Sequence, residues 1–392
     1  MKRDEFAHGW KLRHLCAMLT ALAVLLLPFS AWGETLEAYA KDRFQERHIT
    51  GGGVVIARDG EVLFSYAYGY RDGLKSNRAT LDTCYQAASV TKLVSAIGLL
   101  QLLEDYDIPL DTPVKEIVGF PVVNPAFPEV DITIRQVLSH TSSFVQNQHL
   151  IPSWETLPAE NSYFSAKAAP GTAYVYSNMN GGLIGAMIEA ISRQSVNTYM
   201  QAHVFVPLEI NAAYHPALLA DQTDISTKLR KDGTSYCSAA KAVRSIDAYH
   251  DACDPRANTN ITSGSLWISP NGLARIGMLL ENGGELDGVR ILTEETVATM
   301  MADQHTIAGS SVAAPSPYGL CLNRIEGMPG GTWYGHQGVW QGLTSNVYFQ
   351  PDTGLCVAVI ANGYRANKKD GVATIARAFM EKAQEFTGLA GE

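Results

Sequence analysis

Ser345-Asn-Val-Tyr-Phe-Gln-Pro-Asp-Thr-Gly-Leu-Cys-Val-Ala-Val-Ile-Ala361 decides the fold. Two β-rich runs, Ser345 to Phe349 and Leu355 to Ala361, are joined by Gln350-Pro351-Asp352-Thr353-Gly354, whose Pro and Gly mark a tight turn and make the pair a hairpin. Two further strand-like runs precede it, Tyr318 to Arg324 and Thr332 to His336, and a final helix from about Val372 to Phe386 follows. A matching hairpin stands near the other end of the chain. Val54 to Ala57 and Val62 to Tyr68 flank Asp59-Gly60, a strong hairpin turn, and a surface helix over Glu34 to His48 comes just before them.

Between the two hairpins the pattern is helical. From Val90 to about Glu104, the residues Leu93, Ile97, Leu100 and Leu103 mark an apolar face on a helix with few polar positions, so that helix is expected to be buried. Residues 105–261 are rich in Pro, Asn and Ser, with short helical stretches at Ile132 to Leu138 and Gly182 to Ser192 and little strand signal. Ser269-Pro270 and Thr293-Glu294-Glu295 open two more helices with good N-cap chemistry. Strands at both ends around a helical middle imply an α+β fold: one antiparallel sheet (34–104 and 262–392) flanked by helices, with an inserted all-helical lobe over 105–261. A cleft between lobe and sheet is the expected ligand site.

The composition, 46% hydrophobic and 18% charged, excludes a disordered or fibrous chain. Residues 1–33 are expected to be a cleaved signal peptide: Lys2, Arg3, Lys11 and Arg13 precede an apolar run from Leu15 to Phe29, and small residues follow at Ala31-Trp32-Gly33. The alternative, a membrane anchor, needs about 20 apolar residues and the run is shorter. Of 30 Lys+Arg and 39 Asp+Glu, four and two leave with that segment, so 26 stand against 37 and the net charge becomes −11. That sign argues against a nucleic-acid partner. Removal of the segment implies an oxidising compartment and leaves five cysteines, an odd number. Cys237 and Cys253 bracket 15 residues and are expected to form a disulfide, with two unpaired loop thiols as the alternative. Cys321 and Cys356 lie in apolar runs and look like small core residues. No Cys/His spacing suggests a metal site, and no cofactor is expected.

Ser89-Val90-Thr91-Lys92 places a hydroxyl at the first turn of the buried helix and an amine three residues on, along one face. A lysine desolvated there shifts toward its neutral form and can take the serine proton, while the helix N-terminus favours the developing anion. The spacing alone is weak, since it is expected about once by chance in such a chain. Ser238-Ala-Ala-Lys241 repeats it, in a polar stretch expected to be solvated. Tyr176-Ser177-Asn178 follows the loop signal Pro170-Gly171-Thr172; beside an ammonium its phenol would be drawn toward phenolate and pass protons, and Asn178 could hold a substrate amide. His336-Gln337-Gly338 ends a strand, and its glycine lets a substrate backbone approach the edge. The amide of Val339 could join that of Ser89 in stabilising an oxyanion. Lys231-Asp-Gly233 and Lys369-Asp-Gly371 read as ordinary turns, and His140 in Leu-Ser-His-Thr-Ser-Ser as structural, its hydroxyl-rich neighbours capping a helix end. Arg365, after the last strand, is a candidate for binding a substrate carboxylate.

Ser-Val-Thr-Lys, Tyr-Ser-Asn and His-Gln-Gly, in this order and separation, resemble the three active-site elements of the penicillin-recognising serine hydrolases. The resemblance is to the subgroup holding class C β-lactamases, DD-carboxypeptidases and related esterases. It runs over most of the chain after residue 33, through Ala-Ala-Ser-Val-Thr-Lys, Leu-Ser-His-Thr-Ser-Ser, Gly-Gly-Glu-Leu-Asp-Gly, Tyr-Gly-His-Gln-Gly and Pro-Asp-Thr-Gly. It implies that Ser89 forms the acyl-enzyme, that Lys92 and Tyr176 share proton transfer, that Asn178 binds the substrate amide and that His336 stands at the third element. The implied fold is an antiparallel sheet with flanking helices plus a helical lobe. The substrate is then a small molecule or a peptidoglycan peptide, taken outside the cytoplasm. Two departures stand out. His336 replaces the lysine of dedicated β-lactamases, and a mostly neutral imidazole holds a carboxylate less firmly. Ser143-Phe144 replaces the usual Gly-Leu, with no effect on chemistry expected. A binding protein without turnover is the rival from another class.

Overall fold

Strand-forming runs at the two ends of a chain leave their backbone donors and acceptors unpaired unless they find each other. The computed structural model, which describes residues 36–145, 153–159, 163–248, 252–257, 259–307, 317–364 and 366–388, shows that they do. Strands β1 (Gly51–Arg58), β2 (Glu61–Gly69), β3 (Asn323–Met328), β4 (Gly331–Trp340), β5 (Leu343–Gln350) and β6 (Leu355–Asn362) form one antiparallel sheet in the order β2-β1-β6-β5-β4-β3. The ends meet at β1 and β6, with Gly51 opposite Asn362 and Arg58 opposite Leu355.

Seven of the helices, in chain order, are α1 (36–46), α2 (Val90–Asp105), α3 (Ile134–Leu138), α4 (Asn178–Ser192), α5 (Pro270–Glu281), α6 (Glu294–Met301) and α7 (Thr374–Phe386). Helix α1 carries an Arg43–Glu46 ion pair of 2.7 Å across one turn. Helix α5 packs on β1, β5 and β6, and α7 packs on β6. Strand β6 is buried along its whole length, with Cys356, Ala358 and Ile360 joining the main core cluster. Side chains alternate along a strand, so Val357 and Val359 point to the other face. An unbroken apolar run is what burial on both faces requires. Helix α2 is buried nearly throughout and packs against α4 and β4, which sets its N-terminus beside the sheet. No helix among the described residues is long and apolar enough to cross a membrane.

Capping chemistry was legible. The Ser269 hydroxyl accepts from the Gly272 amide at 3.0 Å with Pro270 at the first helical position, and the Thr293 hydroxyl accepts from the Thr296 amide at 3.2 Å. Three expectations are corrected. The run from Tyr318 to Arg324 turns before it becomes a strand: Cys321 has φ 51°, its amide is bonded to the Leu138 carbonyl, Tyr318 bridges back to Asn323, and β3 starts only there. Strand β4 does not end at His336 but continues to Trp340, since its glycines permit close packing rather than breaking the strand. Cys237 and Cys253 are both free. The Cys253 thiol lies 3.6 Å from the Glu189 carbonyl on α4, whereas Cys237 lies in a short strand and packs against the cluster of Cys84, Ala213 and Trp267. Nearness along the chain does not bring two Cβ atoms within bridging reach.

Candidate active site

Ser89 is the N-cap residue of α2, with φ −66° and ψ −12°, and it follows Ala88, an alanine held at φ 49°. A non-glycine residue in that region is strained, and such strain is kept where the surrounding structure fixes it. The Ala87 amide donates to the Leu266 carbonyl at 2.6 Å and the Thr91 hydroxyl to the Ala88 carbonyl at 2.6 Å, which hold the turn in place. Lys92, one turn along, is completely buried. Its Nζ lies 2.7 Å from the Ser263 carbonyl, 2.9 Å from Asn178 Oδ1 and 3.5 Å from Ser89 Oγ. No carboxylate is among these partners, and burial pulls the Lys92 pKa down to about 7. As a neutral amine Lys92 has two N–H groups, which satisfy Ser263 and Asn178, and one lone pair, which faces the serine. The arrangement can therefore move a proton from Ser89 Oγ to Lys92 Nζ.

Tyr176 brings its ring to 5.1 Å from the Lys92 amine. Its hydroxyl is buried and makes no hydrogen bond, although it stands near enough to the Ser89 hydroxyl for that neighbour to oppose part of the shift. Burial dominates and raises the Tyr176 pKa above its ordinary value. The expected drift toward phenolate is thus overturned: in this dry setting the loss of water dominates and the phenol stays protonated. Tyr176 is placed to give a proton or a hydrogen bond.

Strand β4 carries the third element past the N-terminus of α2. A Cβ on Gly338 would lie 2.2 Å from the Ala87 oxygen and 2.9 Å from the Ser89 nitrogen, so only glycine allows the strand this close to the serine. The His336 ring lies 6.4 Å from that of Tyr176 and is 2% exposed. Its Nδ1 donates to the Gln337 carbonyl at 2.8 Å, which leaves Nε2 as an unpartnered acceptor. Burial, with Lys92 adding to it, depresses its pKa to about 3, so the ring is neutral. Gln337 points to the opposite face of the strand by alternation, and its carboxamide donates to the Gly371 carbonyl; it braces a turn rather than facing Ser89. Val339 lies next to Gly338 with its side chain 40% exposed. Asn178, the first residue of α4, gives Oδ1 to Lys92, and its carbonyl accepts from the Ser263 hydroxyl at 2.7 Å. Arg365 lies outside the described residues.

The structure thus draws Ser89, Lys92, Tyr176, Asn178, His336 and Gly338 together from α2, the loop before α4, and β4. Ser238 and Lys241 stay apart from them: the Ser238 hydroxyl caps a short exposed helix by accepting from the Lys241 amide. Lys231-Asp-Gly233 and Lys369-Asp-Gly371 are turns with glycine at φ 79° and 80°. Sequence inspection missed Ser263, whose carbonyl holds the lysine. A signal existed in Gly181-Gly182, two glycines early in a helix, where they cost stability. A Cβ on Gly181 would stand 2.7 Å from the Ser263 hydroxyl and 2.8 Å from Lys92 Cε. Ser143 occupies φ 65°, which explains why glycine suits that position in similar proteins.

A family model described as Beta-lactamase matches residues 36–380. Penicillin-binding protein 4 of Amycolatopsis lactamdurans is 24% identical over 93% of this chain and 92% of its own length. Protein flp of Staphylococcus aureus (strain MW2) is 27% identical over 45% of this chain; the matched part spans only 37% of that protein. Among solved structures, the octameric penicillin-binding protein homologue from Pyrococcus abyssi shares the fold, with a TM-score of 0.70, 21% identity and coverage of 91% of this chain and 77% of that one. The match across most of the chain, over a sheet and helices arranged as in these proteins, shows that the chain belongs to the β-lactamase family.

Proposed function

We propose that the protein is an exported serine hydrolase that forms an acyl-enzyme on Ser89, acting first on D-amino-acid peptides, then on esters or β-lactams. The observation that carries this is Lys92: fully buried, with burial drawing its pKa down to about 7, without a carboxylate partner, and 3.5 Å from the serine hydroxyl. In acylation the Ser89 proton passes to Lys92 as Oγ bonds the substrate carbonyl carbon. The backbone amides of Ser89 and Val339 face the resulting oxyanion. The leaving group takes a proton from Tyr176, which recovers it from the Lys92 ammonium. Water then adds to the acyl carbon as its proton passes to neutral Lys92, and Ser89 Oγ leaves with that proton returned to it from the Lys92 ammonium. Asn178 orients the substrate amide.

A peptide substrate brings a charge that the site must meet. A D-peptide ends in a carboxylate, and the neutral His336 offers it no cation. Lys368, on the short strand Lys368–Lys369, stands close enough to disfavour protonation of His336, and among the described residues it has no ion-pair partner. Export rests on residues 1–33, which lie outside the described residues.

Labelling with a fluorescent penicillin, followed by mass mapping, tests the reading. A tag on the Ser89 peptide that is lost slowly supports a peptidase, and rapid loss a β-lactamase. Cleavage of a nitrophenyl ester without a tag supports an esterase. No tag and no ester cleavage leaves a binding protein and removes the proposal.

A further inference from the structure

The Leu138-Ser-His-Thr-Ser-Ser143 segment takes no part in the proton transfers above, yet it grips the loop that carries Tyr176. The His140 carbonyl accepts from the Val175 amide at 2.9 Å, and the Thr141 carbonyl accepts from the Gly171 amide at 2.7 Å. His140 Nδ1 accepts from the Ser177 amide at 3.3 Å and from Asn180 Nδ2 at 2.9 Å, and the Ser142 hydroxyl donates to Asn180 Oδ1 at 2.5 Å. The His140 ring lies 4.4 Å from the Tyr176 ring, tilted by 37°. His140 is 1% exposed and held at φ 58°. Tyr176 and Ser177 are therefore each within one ring contact or one bond of His140, and Asn178 follows directly on Ser177.

One of these bonds fixes the chemistry of the ring. A backbone N–H can only donate, so Nδ1 facing Ser177 must carry a lone pair and the proton must sit on Nε2. An imidazolium has no acceptor, and protonation would turn two attractive contacts into repulsive ones. The surroundings oppose it as well. Besides the phenols of Tyr174, Tyr176 and Tyr318, the ring faces the positive or potentially positive Lys92, His336 and His305.

We infer that His140 is a positioning residue of the acyl-transfer site: its neutral Nε2–H tautomer is the acceptor that sets the Tyr176-Ser177-Asn178 loop against Ser89 and Lys92. This rests on the proposed serine-hydrolase reading. The rate of Ser89 acylation should depend on an acceptor at the Nδ1 position, and through Tyr176 rather than through stability at large.

The test uses the full chain with a nitrophenyl ester and a fluorescent penicillin as probes. His140→Ala should lower kcat on the order of 100-fold with KM within about threefold, since a small misplacement of a catalytic group costs that much. His140→Asn, whose carbonyl oxygen falls near the lost Nδ1, should recover to within about tenfold of the native rate. In a Tyr176→Phe background, His140→Ala should cost less than about threefold, because the group it positions is gone. Full additivity of the two changes, or equal damage from Asn and Ala, overturns the proposal. Nitrogen-15 NMR of the histidine rings gives a readout independent of turnover. It should show an unprotonated Nδ1 and a protonated Nε2 from mildly alkaline to mildly acidic solution, and the opposite tautomer also overturns it. A native chain inert to both probes counts against the hydrolase reading, while the NMR result still decides the tautomer.

Discussion

The chain contains the same four-residue spacing twice, and the two copies have opposite fates. Ser89 and Lys92 open a buried helix; Ser238 and Lys241 open an exposed one. At the second site the serine hydroxyl accepts from the backbone of Lys241 and does the ordinary work of an N-cap. At the first it makes no cap bond, and its partner amine is stripped of water and ion pairs. Spacing alone specifies which side chains share a helical face. Burial decides whether the amine is a solvated ammonium or a base, since removing water penalises the charged form.

The largest contrast is in activity. Lys92→Ala should reduce the rate of Ser89 labelling by roughly 1,000-fold or more, within the range lost with a general base, while Lys241→Ala should leave it unchanged. Equal effects would erase the distinction. The next is in pH. With neutral Lys92 as the proposed proton acceptor, the acylation rate should fall about tenfold per unit below the Lys92 pKa of about 7 and level off above it. A flat profile through that region would mean that another group accepts the proton.

Stability sharpens the comparison further. Burying Lys92 disfavours its charged form in the folded state, so the unfolded chain binds more protons and wild-type stability should rise as pH climbs from about 7 toward the ordinary lysine value. Lys92→Met should be more stable than wild type by about 2 kcal/mol at neutral pH, after allowing for the bonds to Asn178 and Ser263 that it loses. The gain should fade at alkaline pH, and denaturant titration at the two ends of that range checks both sign and size. Smallest of all, Ser238→Ala should cost about 0.5 kcal/mol, the low end for an N-cap as befits an exposed one, with no change in labelling.

How much of this was legible follows from where the signals sit. The apolar periodicity of residues 93–103 marks a buried helix, and Ser89-Lys92 takes its importance from that. His336-Gln337-Gly338 is recognisable as the end of a strand whose glycine permits a close approach. Only the packing of β4 against Ser89 shows that the approach is of the strand to the serine turn and that the strand runs on to Trp340. Ser263 and the role of His140 were hidden because they act through a backbone carbonyl and a ring nitrogen, and their residue types advertise neither. The sense of the Tyr176 shift was misjudged for the same kind of reason, since the balance between a nearby cation and lost water depends on depth.

By itself the amino-acid order determined the sheet, the buried helix, the caps and the candidates for the reacting groups. These depend on neighbours a few residues apart and on periodicity. Tertiary structure alone decided which of two identical spacings is buried, which cysteines stay apart, and which ring nitrogens face donors or acceptors. Solvation and through-space distance are set by residues far away in the chain, and they control charge.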